Sequence, residues 1–154
     1  MQESVRIAPP PTYIMLTQVF SLDILSGSVA ICQLGSRVAL PKWIHRSTAF
    51  LNITRTPDEL TIICDESIVP SDVLGERGYR VLRVRGPLPL DMVGVTAALT
   101  SPLATAGVPV VTVATYDTDY LLVHSRHLAH ARWALETVGH SVFDADTVAK
   151  ASSF

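Results

Sequence analysis

The chain has 154 residues, of which 48% are hydrophobic and 17% charged, and its formal net charge is −2. This composition can bury a core and argues against intrinsic disorder, and the slightly acidic charge argues against binding of nucleic-acid phosphates. The mean hydropathy is +0.33, but charged residues, Pro or Gly interrupt every apolar run before the roughly 18–20 residues that a membrane-spanning helix needs.

The first half of the chain is predicted to be rich in strands. Residues 1–11 end in three prolines and predict an extended lead-in. Apolar and β-branched runs predict strands at residues 13–20, 29–34, 49–54 and 60–64. Residues 56–58 form the turn between the last two strands. Residues 35–48 show little periodicity, so no long helix is expected there, whereas 67–76 is a candidate helix.

The second half alternates strands and helices. The predicted elements are a strand at 79–85, a helix from the N-cap Asp91 to about 106, strands at 110–115 and 119–124, a helix at 126–138 and a strand at 141–143. Gly107 and Gly139 end the two helices, and residues 145–154 predict a polar tail. The order β-α-β-β-α-β is that of a ferredoxin-like unit, which predicts an α+β fold.

An internal repeat connects the two halves. When the sequence is shifted by 60 positions, residues 52–63 lie over residues 112–123 without a gap. Each segment has the pattern strand, acidic polar turn, strand, and each is followed by a candidate helix. Repetition over this length indicates two copies of one supersecondary unit, of which the first is degenerate.

The two cysteines, Cys32 and Cys64, lie in apolar strand-like segments. Free cysteines pack as small hydrophobic residues, so we expect buried reduced thiols. The N-terminus lacks the charged and apolar regions of a signal peptide, and we therefore expect a cytoplasmic protein.

Polar residues are densest in the turn that contains Thr115, Tyr116, Asp117, Thr118 and Asp119. Side chains that bond their own backbone explain Asp117 and Thr118 as turn residues. Asp is depleted at strand starts, so a turn explains Asp119 less well. A carboxylate beside hydroxyls and strand-end amides could instead hold an amino acid. If the protein is an enzyme, Asp119, Asp117 and Tyr116 are its candidate acid–base groups.

A second candidate feature is the segment from Gly86 to Gly94, where a strand gives way to a helix. Unpaired amides at a helix N-terminus can receive an anion, and Gly94 suggests a close approach of the backbone. The histidines His124, His127 and His130 are spaced by three, but no cysteine or carboxylate lies at a suitable spacing, so we predict a solvated helix face and no metal site.

Two further patterns bear on function and assembly. The sequence contains none of the common nucleotide, hydrolase or zinc-protease motifs, and we expect no cofactor. Arg80, Arg83 and Arg85 form a short basic stripe, and Arg83 and Arg85 share a strand face with Val81, which predicts that they border an exposed or partner-covered sheet surface.

Four segments resemble one known family. They are TRTPDELTI at 54–62, RGYRVLRVRGPL at 77–88, SPLATAGV at 101–108 and ATYDTDYLLV at 114–123. Together they are similar to the CASTOR-type ACT-domain proteins, which are related to the ACT domains of aspartate kinases and of cytosolic arginine sensors. The resemblance implies two ACT-like βαββαβ units side by side, at 12–77 and 78–144, with the first unit degenerate.

The resemblance also implies an amino-acid site, where the loop after one unit's first strand meets the turn strand of a partner unit. The site residues that it implies are Gly86, Leu88, Asp91, Gly94, Thr115, Tyr116, Thr118 and Asp119. Backbone amides of Gly86 and of residues 88–94 would bind the ligand, and Asp119 would bind its cationic group. The number of sites stays open.

The leading hypothesis is therefore a small amino-acid-binding or sensing protein that performs no chemistry. A small enzyme, and a regulatory subunit that binds another protein, are the alternatives. Strand residues that a second unit or subunit would cover are Tyr79, Val81, Val110 and Tyr120. Because proteins avoid exposed apolar strand faces, we predict a homodimer.

Overall fold

The computed structural model describes residues 18–145. The predicted lead-in at 1–11, most of the predicted strand at 13–20 and all but the first residue of the tail lie outside the described residues. The strands are β1 (Ser21–Ile24), β2 (Val29–Gly35), β3 (Leu51–Arg55), β4 (Glu59–Asp65), β5 (Gly75–Val84), β6 (Val111–Ala114), β7 (Asp119–His124) and β8 (Ser141–Asp144). The helices are α1 (Val95–Thr105) and α2 (Leu128–Thr137), with 3₁₀ turns at Lys42–Arg46, Glu66–Ile68 and Ser125–His127.

The eight strands form one mixed sheet. Its main strand order is β3-β4-β2-β5-β1-β8. The edge of β5 that does not contact β1 and β2 pairs with β7, and β7 pairs in turn with β6. β1 and β2 follow one another along the same edge of β5, β2 beside its first half and β1 beside its second. The predicted α+β class is correct, and one long strand joins the two halves of the chain.

β5 begins four residues before the predicted strand, and the predicted helix at 67–76 is wrong. That segment forms one 3₁₀ turn and then a turn in which Val73 N–H donates to the Pro70 carbonyl at 3.2 Å. Gly75 already pairs with β2, where a Cβ would lie 2.7 Å from the Ile31 carbonyl oxygen. Pro70 and the extended backbone at Gly75 therefore leave too few residues for a helix.

The second half has the predicted order β5-α1-β6-β7-α2-β8. Asp91, however, does not cap α1, because the helix begins at Val95 with Gly94 as its N-cap at φ +88°. Before it, Met92 N–H donates to the Pro89 carbonyl at 3.0 Å and closes a separate turn. A strand that the sequence reading missed, β1, lies between β5 and β8.

Two hydrophobic cores lie against the sheet. In the larger core, α1 and α2 pack against the sheet. The fully buried side chains of this core include Leu22, Leu82, Leu99, Leu121 and Leu135. The smaller one lies under the two 3₁₀ turns of the first half and contains Cys32 and Cys64, both free and buried as predicted.

A third core joins the two halves of the sheet. It contains Val29 and Ile63 from the first half and Val81 and Leu122 from the second. The Phe50 ring contacts the Tyr120 ring at 5.1 Å between centroids, although β3 and β7 are four strands apart, which in a flat sheet is about 19 Å. The sheet therefore curls, and one face of each half covers the other.

This curling explains the apolar strand residues that suggested a partner. Val81 is 3% exposed, and Tyr79 and Tyr120 pack against the same core. Val110 packs instead against the core of the second half. Val81 is buried and the other three side chains are partly buried within one chain, so this burial needs no second copy.

The hairpins β3-β4 and β6-β7 have the same two-residue turns, at 57–58 and 116–117. Equivalent positions therefore lie 59 residues apart rather than 60. The difference matters because a one-residue slip moves every strand side chain to the opposite face of the sheet. At the corrected offset Leu60 takes the place of Asp119, and Arg55 takes the place of Ala114.

Candidate functional site

A cleft of about 390 Å³ lies at one end of the second half. One wall is the loop after β5 with the first turn of α1, and the other is the end of β6, the 115–118 turn and the start of β7. Its lining residues are Leu88, Pro89, Leu90, Met92, Gly94, Val95, Thr96, Ala97, Ala114, Thr115, Tyr116, Thr118 and Asp119. Both walls belong to one βαββαβ unit of one chain, whereas the resemblance implies walls from two units.

Most of the predicted site residues are brought together here. Leu88, Gly94, Thr115, Tyr116, Thr118 and Asp119 line the cleft. Gly86 lines a neighbouring cleft instead, and Asp91 is exposed and lines neither. The sequence reading missed the first turn of α1, because it placed the helix start at Asp91.

The Asp119 side chain is half-buried at the start of β7. Within the described residues its carboxylate accepts no hydrogen bond and forms no ion pair, in contrast to Asp23 and Asp65, which are bonded. A carboxylate in a cleft without a partner is poised to bind a cationic group.

The other wall presents backbone donors. The first helical hydrogen bond of α1 runs from Ala98 N–H to the Gly94 carbonyl at 2.9 Å. The N–H groups of Val95, Thr96 and Ala97 therefore have no acceptor within residues 18–145, and all three residues line the cleft. The positive end of the helix dipole adds to their attraction for an anion.

The predicted turn is fixed by its own hydroxyls. Thr115 donates through its N–H (2.9 Å) and Oγ1 (2.8 Å) to the Thr118 carbonyl, and Thr118 Oγ1 donates to the Val84 carbonyl at 2.6 Å. Leu88 N–H donates to the Asp117 carbonyl at 2.7 Å. The amide of Leu88, a predicted ligand donor, thus joins the two walls.

The candidate acid–base groups other than Asp119 lie in water. Tyr116 is 80% exposed and Asp117 is exposed. Acid–base catalysis by a carboxyl–phenol pair usually relies on burial to tune both groups, and neither side chain has such burial.

The histidines have separate contacts. His124 packs edge-on against Tyr79, and His130 lies beside Trp133 at 5.6 Å between ring centroids. Among the described residues, no three His, Cys, Asp or Glu side chains lie close enough together to hold a metal ion. None of the described helices is long and apolar enough to cross a membrane.

In the first half, the end of β3 is bonded to the loop after β2. The Arg55 guanidinium donates to the Ser36 carbonyl and, at 2.7 Å, to the Val38 carbonyl, both in the loop after β2. Leu60, in the place of Asp119, is fully buried. Ala114, at the matching position of the second hairpin, lines the cleft of the second half.

Comparison with known proteins decides the family. An ACT-domain model matches residues 74–137, from β5 through α2, and a second model, of an N-terminal domain, matches residues 27–72. A protein of Agrobacterium tumefaciens with a solved structure is 36% identical with a TM-score of 0.78, over 82% of this chain and 94% of that chain. Residues 74–137 of the chain therefore match an ACT domain, and the chain belongs to the same family as the Agrobacterium tumefaciens protein.

Two further solved structures resemble the chain in fold alone. A Vibrio cholerae protein of unknown function is 22% identical with a TM-score of 0.65, over 80% of this chain and 93% of that one. The regulatory subunit of aspartate kinase from Thermus thermophilus is 11% identical with a TM-score of 0.50, over 73% and 93%. No curated protein matches the chain in sequence.

Proposed function

We propose that the chain is a regulatory module that binds one amino acid in the cleft between α1 and the 114–119 segment. The observation that carries this proposal is the pair of unused binding groups: the Asp119 carboxylate on one wall and the three N–H groups at the α1 N-terminus on the other. A free amino acid carries an ammonium and a carboxylate, and it can satisfy both.

In this proposal Asp119 binds the ammonium through a charge-assisted hydrogen bond. The N–H groups of Val95, Thr96 and Ala97 bind the carboxylate, and the helix dipole favours it there. Apolar lining side chains such as Leu88 and Met92 contact the side chain of the ligand. A cleft of about 390 Å³ lies in the usual range for small-molecule sites.

We further propose that the first half is a degenerate copy of the second, in the CASTOR-type arrangement of units at 12–77 and 78–144. The strand order in the first half, β3-β4-β2-β5, supports this proposal. It is the order of a ferredoxin-like sheet in which the first part of β5 is the fourth strand. The boundary falls inside β5, beside Gly78 at φ +81°. Because Arg55 bonds to the loop after β2 at the corresponding place of the first half, we expect one ligand per chain.

The homodimer and the cytoplasmic location stay predictions. Exposed apolar side chains do rim the proposed site, namely Leu90 (73% exposed), Val93 (62%) and Tyr116 (80%). A second copy that covered this rim would remove it from water. Light scattering tests the dimer, and a monomer at all concentrations would contradict it.

The test is a calorimetric titration of the full chain with each of the twenty amino acids. We expect saturable binding of at least one, near one ligand per chain. Asp119→Ala should weaken it about tenfold or more, since a hydrogen bond to a charged group contributes about 1.5–3 kcal/mol. Asp91→Ala, in the loop between β5 and α1 but outside the cleft, is the control for loss of a carboxylate and should bind normally.

Three outcomes would overturn the proposal. They are absence of binding by every amino acid, unchanged binding in Asp119→Ala, and an equal loss in Asp91→Ala. Absence of binding together with a co-purified protein would favour the alternative of a subunit that binds another protein.

A further inference from the structure

A buried carboxylate holds two arginines on the sheet face opposite α1 and α2. Asp23, on β1, is 5% exposed and lies directly across from Arg83 on β5. It accepts hydrogen bonds from Arg85 Nη2 at 2.6 Å and Arg85 Nε at 3.0 Å, and from Arg83 Nη2 at 3.2 Å. The cluster has two positive charges against one negative charge.

Arg85 alone would neutralise Asp23, because its planar fork already bonds both oxygens. Arg83 adds one longer bond. Within residues 18–145, Arg83 Nε and Nη1 and Arg85 Nη1 make no hydrogen bond, and the two side chains are 48% and 40% exposed. The cluster therefore keeps unused donors that water can reach.

The Arg85 guanidinium is also held in place. The Arg85 guanidinium carbon lies 4.2 Å from the centroid of the Phe143 ring, and Phe143 pairs with Asp23 in the β1–β8 register. An arginine held by an ion pair and an aromatic ring loses less conformational entropy when it binds a ligand.

The arginines open onto a cleft of about 830 Å³. Asp23, Thr118 and the exposed Asp117 line this cleft beside the two arginines. Thr118 alone among the lining residues is shared with the proposed amino-acid cleft. The contact between Leu88 and Asp117 separates the two clefts.

We propose that this second cleft is a binding site for a small anion, a carboxylate or a phosphate, which Arg83 and Arg85 bind with their unused donors. Guanidinium donors fit the oxygens of both groups. The site is independent of the proposed amino-acid site and does not rest on it.

The test is a titration of the full chain with inorganic phosphate and, separately, with succinate, at constant ionic strength and followed by NMR chemical shifts. We expect saturable shifts around Arg83 and Arg85, and the tighter of the two anions identifies the chemical class. Arg83→Gln should weaken binding about tenfold or more. Arg37→Gln, an exposed arginine outside both clefts, should bind as the wild type does.

Two further variants separate the alternatives. Asp119→Ala should leave anion binding unchanged, whereas tighter binding, as expected when a repelling carboxylate is removed, would place the anion in the first cleft and overturn the proposal. If Arg83→Gln does not fold by circular dichroism, Arg83→Lys keeps the charge but loses the planar donors, and weaker binding is expected. Absence of saturable binding, or binding by the folded Arg83 variant as tight as that of the wild type, would also overturn it.

Discussion

Gly86 lies so close to Asp117 that a Cβ built on it would sit 2.7 Å from the Asp117 carbonyl oxygen. The same oxygen accepts the Leu88 N–H at 2.7 Å. The loop after β5 and the 115–118 turn therefore touch through their backbones, and each of the two clefts borders this contact. The sequence suggested that Gly86 donates to the ligand, whereas the structure shows that it permits this approach.

Gly86→Ala should separate the two walls. A methyl group in a closely packed place costs about 1–3 kcal/mol, so we expect a loss of stability of that size and a loss of amino-acid binding. Chemical denaturation and calorimetry measure the two effects. The control is Gly35→Ala, where a Cβ would make an ordinary contact at 3.4 Å with Val38, and a loss of binding there as large as in Gly86→Ala would count against this role.

Asp23 should make stability depend on acid pH. Hydrogen bonding from Arg85, opposed by burial and supported by Arg83, holds the pKa of Asp23 below its ordinary value of 3.8. A lowered folded-state pKa adds stability that is present above the unfolded pKa and is lost as the pH falls through the folded value. Asp23→Asn should therefore be less stable than the wild type at pH 7, with the difference shrinking below about pH 4.

Denaturant unfolding at a series of pH values measures this difference. Asp58→Asn, in the exposed turn between β3 and β4, is the control and should show a small difference at every pH. If the gap between Asp23→Asn and the wild type stayed constant down to about pH 2, the ion pair would not be its cause.

Both cysteines should be unreactive toward thiol reagents in the folded chain. Burial raises the pKa of Cys32, and burial together with neighbouring Cys32 and Asp65 raises that of Cys64 to about 12. The thiolate is the reactive form, so a thiol reagent at about pH 8 should label neither cysteine until the chain unfolds. Rapid labelling of the native protein would contradict the burial of these strands.

His140 should hold the start of β1 against α1. Its Nδ1 accepts the Phe20 N–H at 3.0 Å, and its Nε2 lies 3.1 Å from the Ala98 carbonyl oxygen. His140→Ala leaves these partly buried backbone groups unpaired, and we expect a loss of about 1–3 kcal/mol in unfolding free energy. His130→Ala, on the exposed face of α2, should change stability by about 0.5 kcal/mol or less, and equal losses would argue against this role.

The second half of the fold could be predicted because its local signals agree with one another. The bounds of β7 match the predicted strand, since an acidic turn precedes a continuous apolar run. β1 could not be found in the same way, because it is four residues long and is stabilised by β5 and β8, which lie far away in sequence. The extension of β5 to Gly75 likewise depends on pairing with β2.

The site was predicted in part. Asp119 stood out because a strand start rarely carries Asp, and its unpaired carboxylate agrees with that signal. The donors at Val95, Thr96 and Ala97 were missed, since Gly94, not Asp91, sets the helix start. The roles of Arg55 and Asp23 depend on contacts between segments distant in sequence, which no local pattern displays.

The crystal structure of the chain, grown with the amino acid that binds it most tightly, tests the central claim most directly. We predict density for one amino acid in the cleft, with its ammonium nitrogen within about 3.2 Å of the Asp119 carboxylate and its carboxylate at the N-terminus of α1. An amino acid bound elsewhere, or a cleft that stays empty at saturating ligand, would contradict the account.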